Sequence, residues 1–317
     1  MGERILSDYV IKRLLQGILL ILVVSILVFA MMDLMPGDPV DLLTDRKVSQ
    51  EIKDKLKAQY GLDLPLPQRY WKWITDVFKG NFGTSIRTKL PVNAMLAQRL
   101  PTTIKLTGIA LLVEILIAIP IGLLAAYKKD GFFDRLMMSI SLFFAALPSF
   151  WVAVLLILFF GVTLRVLPLS ELNSAKHYIL PVSAMVLGGI ATTIRMTKTE
   201  VLDVLREKYV LTAYAKGLPK KTVLIRHVLR NALILVMIMI FMSIPWVISG
   251  AVIIENIFVI PGMGKMLTEA ILAQDFTVVQ ASVLLIAVLT VVSNLICDVL
   301  TAILDPRIRI SMGEDLA

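Results

Sequence analysis

The chain has 317 residues, 57% of them hydrophobic and only 18% charged, and its mean hydropathy is +0.82. That is more apolar surface than a soluble core of this size can bury, so the sequence describes a membrane protein. The net charge of +8 does not point to nucleic acid, because the basic residues flank apolar spans, where they set topology, and no nucleic-acid-binding motif accompanies them. A lone cysteine, Cys297, excludes an internal disulfide framework and a Cys-based metal site.

Six apolar segments follow in chain order: 14–32, 103–126, 136–163, 179–197, 233–254 and 281–304. As helices rising about 1.5 Å per residue, each can cross roughly 30 Å of hydrocarbon. Lipid offers no partner to backbone polar groups, so an all-α bundle of six transmembrane helices is predicted. The first segment reads as a retained anchor, since no small-residue cleavage pattern follows it. Between the first two spans, 35–102 reads as a small extracytoplasmic domain. Pro36-Gly-Asp-Pro39 makes a turn, 50–60 an exposed helix ended by Gly61, and Trp71, Trp73, Ile74, Val77 and Phe78 the apolar face of an amphipathic helix at the membrane surface.

Lysine and arginine assign the sides. Arg4, Lys12 and Arg13, then Lys128, Lys129 and Arg135, then a dense group over 198–230, and finally Arg307 and Arg309 fall on one side; the opposite short loops hold Arg165, Lys176 and Lys265. The positive-inside bias therefore predicts both termini in the cytoplasm.

The basic stretch between the fourth and fifth spans is the most informative. Val201, Leu202, Val204, Leu205 and Val210 recur at near-helical spacing, and Gly217-Leu-Pro219 breaks the helix midway. A short helix with one apolar face, displayed just outside a membrane, is a docking surface for a protein partner.

Along nearly its whole length the chain resembles the membrane permease subunits of binding-protein-dependent ATP-binding cassette (ABC) importers, of the dipeptide, oligopeptide and nickel branch. The resemblance is carried by Met35-Pro-Gly-Asp-Pro39, Tyr60-Gly-Leu-Asp-Leu-Pro-Leu-Pro-Gln-Arg-Tyr70, Gly80-Asn-Phe-Gly-Thr-Ser85 and Arg99-Leu-Pro-Thr-Thr103. It continues through Leu147-Pro-Ser-Phe-Trp151, Leu180-Pro181, Gly250-Ala-Val252 with Glu255, Pro261-Gly-Met-Gly264, and Leu304-Asp-Pro-Arg-Ile-Arg309. In such importers the cytoplasmic loop between the fourth and fifth spans carries a motif beginning Glu-Ala-Ala, followed by a glycine, which docks in a groove of the ATPase. Here Leu211-Thr-Ala213 and Gly217 align with it, so the glutamate and first alanine are absent. The family's usual proline after Asn231-Ala-Leu233 is also missing, and a straighter start to the fifth span is expected.

The resemblance implies a type I ABC importer fold divided into an N-terminus and first span (1–34), the extracytoplasmic segment (35–102), a permease core (103–310) with an ATPase-coupling loop at 198–232, and a tail (311–317). It implies a subunit of the bacterial or archaeal cytoplasmic membrane that forms, with a second homologous permease, a translocation path for di- or oligopeptides delivered by an external binding protein. Two separate ATPase subunits would bind ATP and Mg; this chain would hold no cofactor. Consistently, no Gly-x-x-x-x-Gly-Lys-Ser/Thr loop occurs, and Gly262-Met-Gly-Lys265 is too short to be one, so no ATP hydrolysis is expected here. The coupling residues implied are Leu205, Tyr209, Thr212, Ala213, Lys216, Gly217 and Leu218, on a helix over about 209–216, with Lys216, Lys220 and Lys221 facing acidic rim residues or lipid headgroups.

Four polar residues are candidates for the path or its gate. Glu114, deep in the second span, either faces the path or makes a structural hydrogen bond to a neighbouring helix. Glu255 either contacts a peptide amino group or the binding protein, or is a helix-end charge at the water boundary. Ser243 and Ser249 either line the passage or bond their own backbone. Asp298 is expected to pair with cytoplasmic basic residues. His177 and His227 fall on opposite sides and cannot share a metal, and the fifteen methionines, scattered through the spans, read as flexible packing. Pro120, Pro148, Pro181 and Pro245 permit bends. The alternatives are a permease for nickel or a metal chelate and an ion-coupled secondary transporter, whose inverted repeats or paired intramembrane charges the sequence does not display.

Overall fold

The computed structural model describes residues 2–34, 51, 55, 63–170, 172 and 174–304. The turn expected at 36–39 and most of the helix expected at 50–60 lie outside them. The described residues are helical throughout apart from loops, with one isolated antiparallel bridge between Thr84 and Pro91. Five helices are long and apolar enough to cross a membrane, and a bent pair makes a sixth when taken as one span. They form two compact units.

The unit made of 14–103 and 261–292 contains most of α1 (Gly2–Leu34), α2 (Leu66–Phe78), the start of α3 (Val92–Tyr127), α9 (Met263–Leu272) and the first part of α10 (Phe276–Leu304). The expected amphipathic helix is α2. It leans on α1 through Tyr70 and Trp73, whose rings flank Phe29 with centroids 5.5 Å away in each case, and through a 2.8 Å hydrogen bond between Ser25 Oγ and the Tyr70 hydroxyl. Trp71 and Phe78 stay exposed.

The Gly80–Ser85 motif of the sequence then acquires a cause. Gly80 at φ +76 ends α2, with its N–H on the Val77 carbonyl at 2.9 Å and the Asn81 N–H on Asp76 at 2.9 Å, a pairing that needs left-handed backbone at residue 80. Gly83 sits at φ +83, and a Cβ there would lie 2.9 Å from Thr277 Cγ2. Asp275, buried just before α10, gathers the next turn: its carboxylate accepts from Ser85 Oγ (2.5 Å) and from the N–H groups of Ile86 (3.2 Å), Arg87 (3.3 Å) and Val278 (3.4 Å). Thr103, from a second motif, accepts the N–H of Met263 at 2.8 Å, satisfying a donor at the start of α9. The lysine-containing Gly262-Met-Gly-Lys265 is thus a helix start with Met263 and Gly264 buried.

The other unit comprises, among the described residues, 104–260 with the segments 2–13 and 293–304. Its apolar core draws Leu106, Ala110 and Ala118 from α3, Ala153 from α5 (Ser149–Leu156), Leu180, Val186 and Ile194 from α6 (Lys176–Leu205), and Ile254 from α8 (Arg230–Ile257). The single continuous span expected at 136–163 is corrected: α4 (Phe132–Ala145) and the piece Ser149–Thr163 meet at 101°. Pro148, extended at ψ 137, supplies no N–H and disfavours helix in Leu147 before it, so the apolar run cannot continue straight. Expected span limits also shift. The fifth apolar run, expected to end at 254, lies in α8, which continues through Pro245 to Ile257. Asp298 pairs with Arg13 (Nε to Oδ2 3.4 Å).

Candidate functional site

The unit around 104–260 carries two features that could act on a partner or a ligand: the loop after α6 and a cavity between helices.

The loop begins where α6 stops at Leu205. Glu207, extended at ψ 142, opens α7 (Lys208–Ala215), close to the helix expected over 209–216. It ends in a Schellman turn: Gly217 N–H to the Tyr214 carbonyl at 2.9 Å and Leu218 N–H to Ala213 at 3.4 Å. These bonds require left-handed backbone at 217, and Gly217 has φ +78. Pro219 then opens a turn (Lys220–Thr222) that passes into a π-helical segment (Val223–Leu229) and α8. The fifth span therefore has a π-helical lead, a feature that the missing proline did not foreshadow.

The loop carries its own small core. Val210 and Ala213 of α7 pack with Val201, Ala126, Val223, Val228 and Ala232. Its opposite face is left open: Tyr209 is 43% exposed, Leu211 58%, Tyr214 37% and Leu218 37%. Of the coupling residues inferred from sequence, Tyr209, Thr212, Lys216, Gly217 and Leu218 lie on this open side, whereas Ala213 is buried and Leu205 partly so. The Thr212 hydroxyl donates to the Lys208 carbonyl at 2.9 Å. Sequence reasoning missed what anchors the end of α6: Lys198 Nζ lies 2.6 Å from Asp134 Oδ1, and Asp134 Oδ2 accepts the Asp130 N–H at 2.9 Å.

The cavity has a volume of about 590 Å³ and is lined by α3, α6 and α8, with Ser149 at the start of α5. Glu114 reaches it from α3, 7% exposed, and Oε1 accepts from Thr193 Oγ1 at 2.6 Å. Glu114 thus makes the interhelical hydrogen bond considered for it and also faces this cavity. A Cβ on Gly189 would come within 3.1–3.3 Å of the carboxylate, so the missing side chain at 189 admits it. Ser243 also lines the cavity, while its hydroxyl donates to the Ile240 carbonyl at 2.7 Å.

Ser249 and Glu255 are not among the lining residues. Glu255 is fully buried at 0%, which corrects the water-boundary reading. The helix runs past it to Ile257, Val259 turns at φ +54, and the Ile260 N–H returns to the Glu255 carbonyl at 2.8 Å; Phe258 and Ile260 are themselves buried. Among the described residues no three His, Cys, Asp or Glu side chains group as metal ligands would.

Comparison with known proteins bears on what this arrangement belongs to. Residues 118–310 match the family described as binding-protein-dependent transport system inner membrane component, and 6–107 match the N-terminal region of such membrane components. The chain belongs to this family of ABC importer permeases. The oligopeptide transport system permease protein AppB of Bacillus subtilis (strain 168) is 36% identical over 315 residues, covering 96% of this chain and 100% of that protein. A protein of Brucella abortus (strain 2308), provisionally named a peptide transport system permease, is 38% identical over 312 residues, covering 96% and 99%. The glutathione transport system permease protein GsiC of Salmonella paratyphi A (strain ATCC 9150 / SARB42) is 36% identical over 304 residues, covering 95% and 99%. A chain from a solved inward-facing structure of the MetNI methionine ABC transporter superposes with a TM-score of 0.57 at 16% identity, over 67% of this permease and 96% of that chain, which shows the same fold.

Proposed function

We propose that this permease forms, with a second homologous permease, the path by which short peptides cross the cytoplasmic membrane, powered by two ATPase subunits that bind ATP and Mg and supplied by an external binding protein. Both termini and the 198–232 loop face the cytoplasm in this reading, and 35–102 the exterior. The relatives' names support the substrate class, since each of the three is named for peptide, oligopeptide or glutathione transport, and glutathione is itself a short peptide. The observation that carries the mechanism is α7. One of its faces is locked into the permease by Val210 and Ala213, while the other offers Tyr209, Leu211, Tyr214 and Leu218 to a partner. A lever needs both: a face that binds the engine and a face that cannot slip.

The motion between inward-open and outward-open states is then biased by differential contacts on the two sides, nucleotide-driven closure of the ATPases inside and the loaded binding protein outside. The test is reconstitution of all partners in proteoliposomes. ATP-dependent uptake of a labelled di- or oligopeptide is expected; uptake of nickel or a metal chelate instead, or transport by this chain alone under an ion gradient, would overturn the reading.

The coupling role has its own test. An added Cβ at Gly217 meets nothing within 4 Å, so Gly217→Ile acts only through backbone conformation. Left-handed backbone costs a substituted residue about 1–2 kcal/mol, more for a β-branched one. The variant is expected to insert and assemble while binding-protein-stimulated ATP hydrolysis and uptake fall by roughly tenfold. Unchanged stimulated hydrolysis would remove α7 from the coupling pathway.

A further inference from the structure

The cavity contains one fixed ionisable side chain. Glu114 lines it, no lysine or arginine does so among the described residues, and the rest of the lining is apolar, glycine or hydroxyl. Its volume, about 590 Å³, falls within the range of small-ligand sites, about 300–1,000 Å³. The carboxylate is also held in place. Thr193 donates to Oε1 at 2.6 Å, and glycine at 189 leaves the carboxylate its room, since a Cβ there would come within 3.1–3.3 Å of it. Such a group, anchored by one oxygen with the other available, is arranged to accept a hydrogen bond from a cation, and charge-assisted bonds of this kind are the stronger ones. Around it stand Met185, Met196 and Met239, flexible thioether side chains that accommodate varied apolar shapes.

We propose that the Glu114 carboxylate receives the α-ammonium group of a peptide in transit, with the methionines tolerating its variable side chains. This deepens the peptide-permease reading above and rests on it. The chemistry suits a carrier of many sequences, since the amino terminus is the one cation that short peptides share. A single anion would recognise that constant feature, and the soft lining would leave the side chains unread.

The experiment uses the complete transporter in proteoliposomes with two labelled peptides of the same sequence, one with a free amino terminus and one N-acetylated, each supplied already loaded on the binding protein. Wild type is expected to take up the free-amine peptide in preference. Glu114→Gln should lower its uptake by about tenfold, the loss of one hydrogen bond to a charged group, and erase the preference, while stimulated ATP hydrolysis persists; Glu114→Asp should restore part of the preference. Thr192→Lys, which brings an ammonium into the same cavity, should erase the preference without altering Glu114 and decides the matter if the glutamine variant fails to assemble. A wild-type preference that survives both charge-altering changes, or no preference in wild type, overturns the assignment of Glu114. Absence of any peptide uptake by wild type would instead overturn the peptide-permease reading.

Discussion

Asp275→Ala is expected to release the 84–92 turn. The aspartate is 4% exposed and Ser85 1%, and its loss strands the Ser85 hydroxyl and the buried Val278 N–H, while the N–H groups of Ile86 and the exposed Arg87 can turn to water. A buried donor without an acceptor costs about 1–3 kcal/mol, so two such groups put the local loss at roughly 4 kcal/mol. Amide exchange across 85–90 should quicken, and limited proteolysis should cut there while the remainder stays protected. Asp275→Asn, which keeps one carbonyl acceptor, should lose about half as much. Wild-type exchange in the alanine variant would show that the turn is held by its own local bonds.

Asp134→Ala should be the second costly change. Asp134 is 4% exposed in its side chain and its partner Lys198 19%. Removing one member of a buried pair leaves the other charge uncompensated, at about 3–5 kcal/mol; the partial exposure of Lys198 places the loss near 3 kcal/mol. Because Lys198 stands two turns before the end of α6, the variant should also loosen the approach to α7. A double-mutant cycle with Lys198→Ala, read by thermal unfolding of the detergent-solubilised complex, should show the double variant losing clearly less than the sum of the singles. Strict additivity would mean that the two side chains do not interact.

The contrast between these residues and the loop shows what a sequence can disclose. The end of α7 was legible because its signal is local: Gly217 and Pro219 follow directly on Ala215 and Lys216. The break between Leu205 and Lys208 was not, since Val201, Leu202, Val204, Leu205 and Val210 read as one near-helical run. The break near Pro148 was marked by that proline, but hydropathy alone carried the segment straight through, since apolar residues continue on both sides of the bend. Glu255 was read either as a contact to a peptide or binding protein or as a helix-end charge, because the apolar run ends at Ile254; hydropathy carries no sign that its side chain is fully buried. Asp275 went unnoticed, although an aspartate directly before an apolar run is a helix-start signal; its partner Ser85 is 190 residues away. Glu114 stood out as a charge within a span, yet nothing in a single sequence tells which helix face would supply Thr193, 79 residues on.

Gly217 bears one more reading. The space around it is empty, so what that turn selects is handedness rather than smallness: the chirality of ordinary amino acids, and no bulk of any neighbour, is what reserves the position for the one achiral residue.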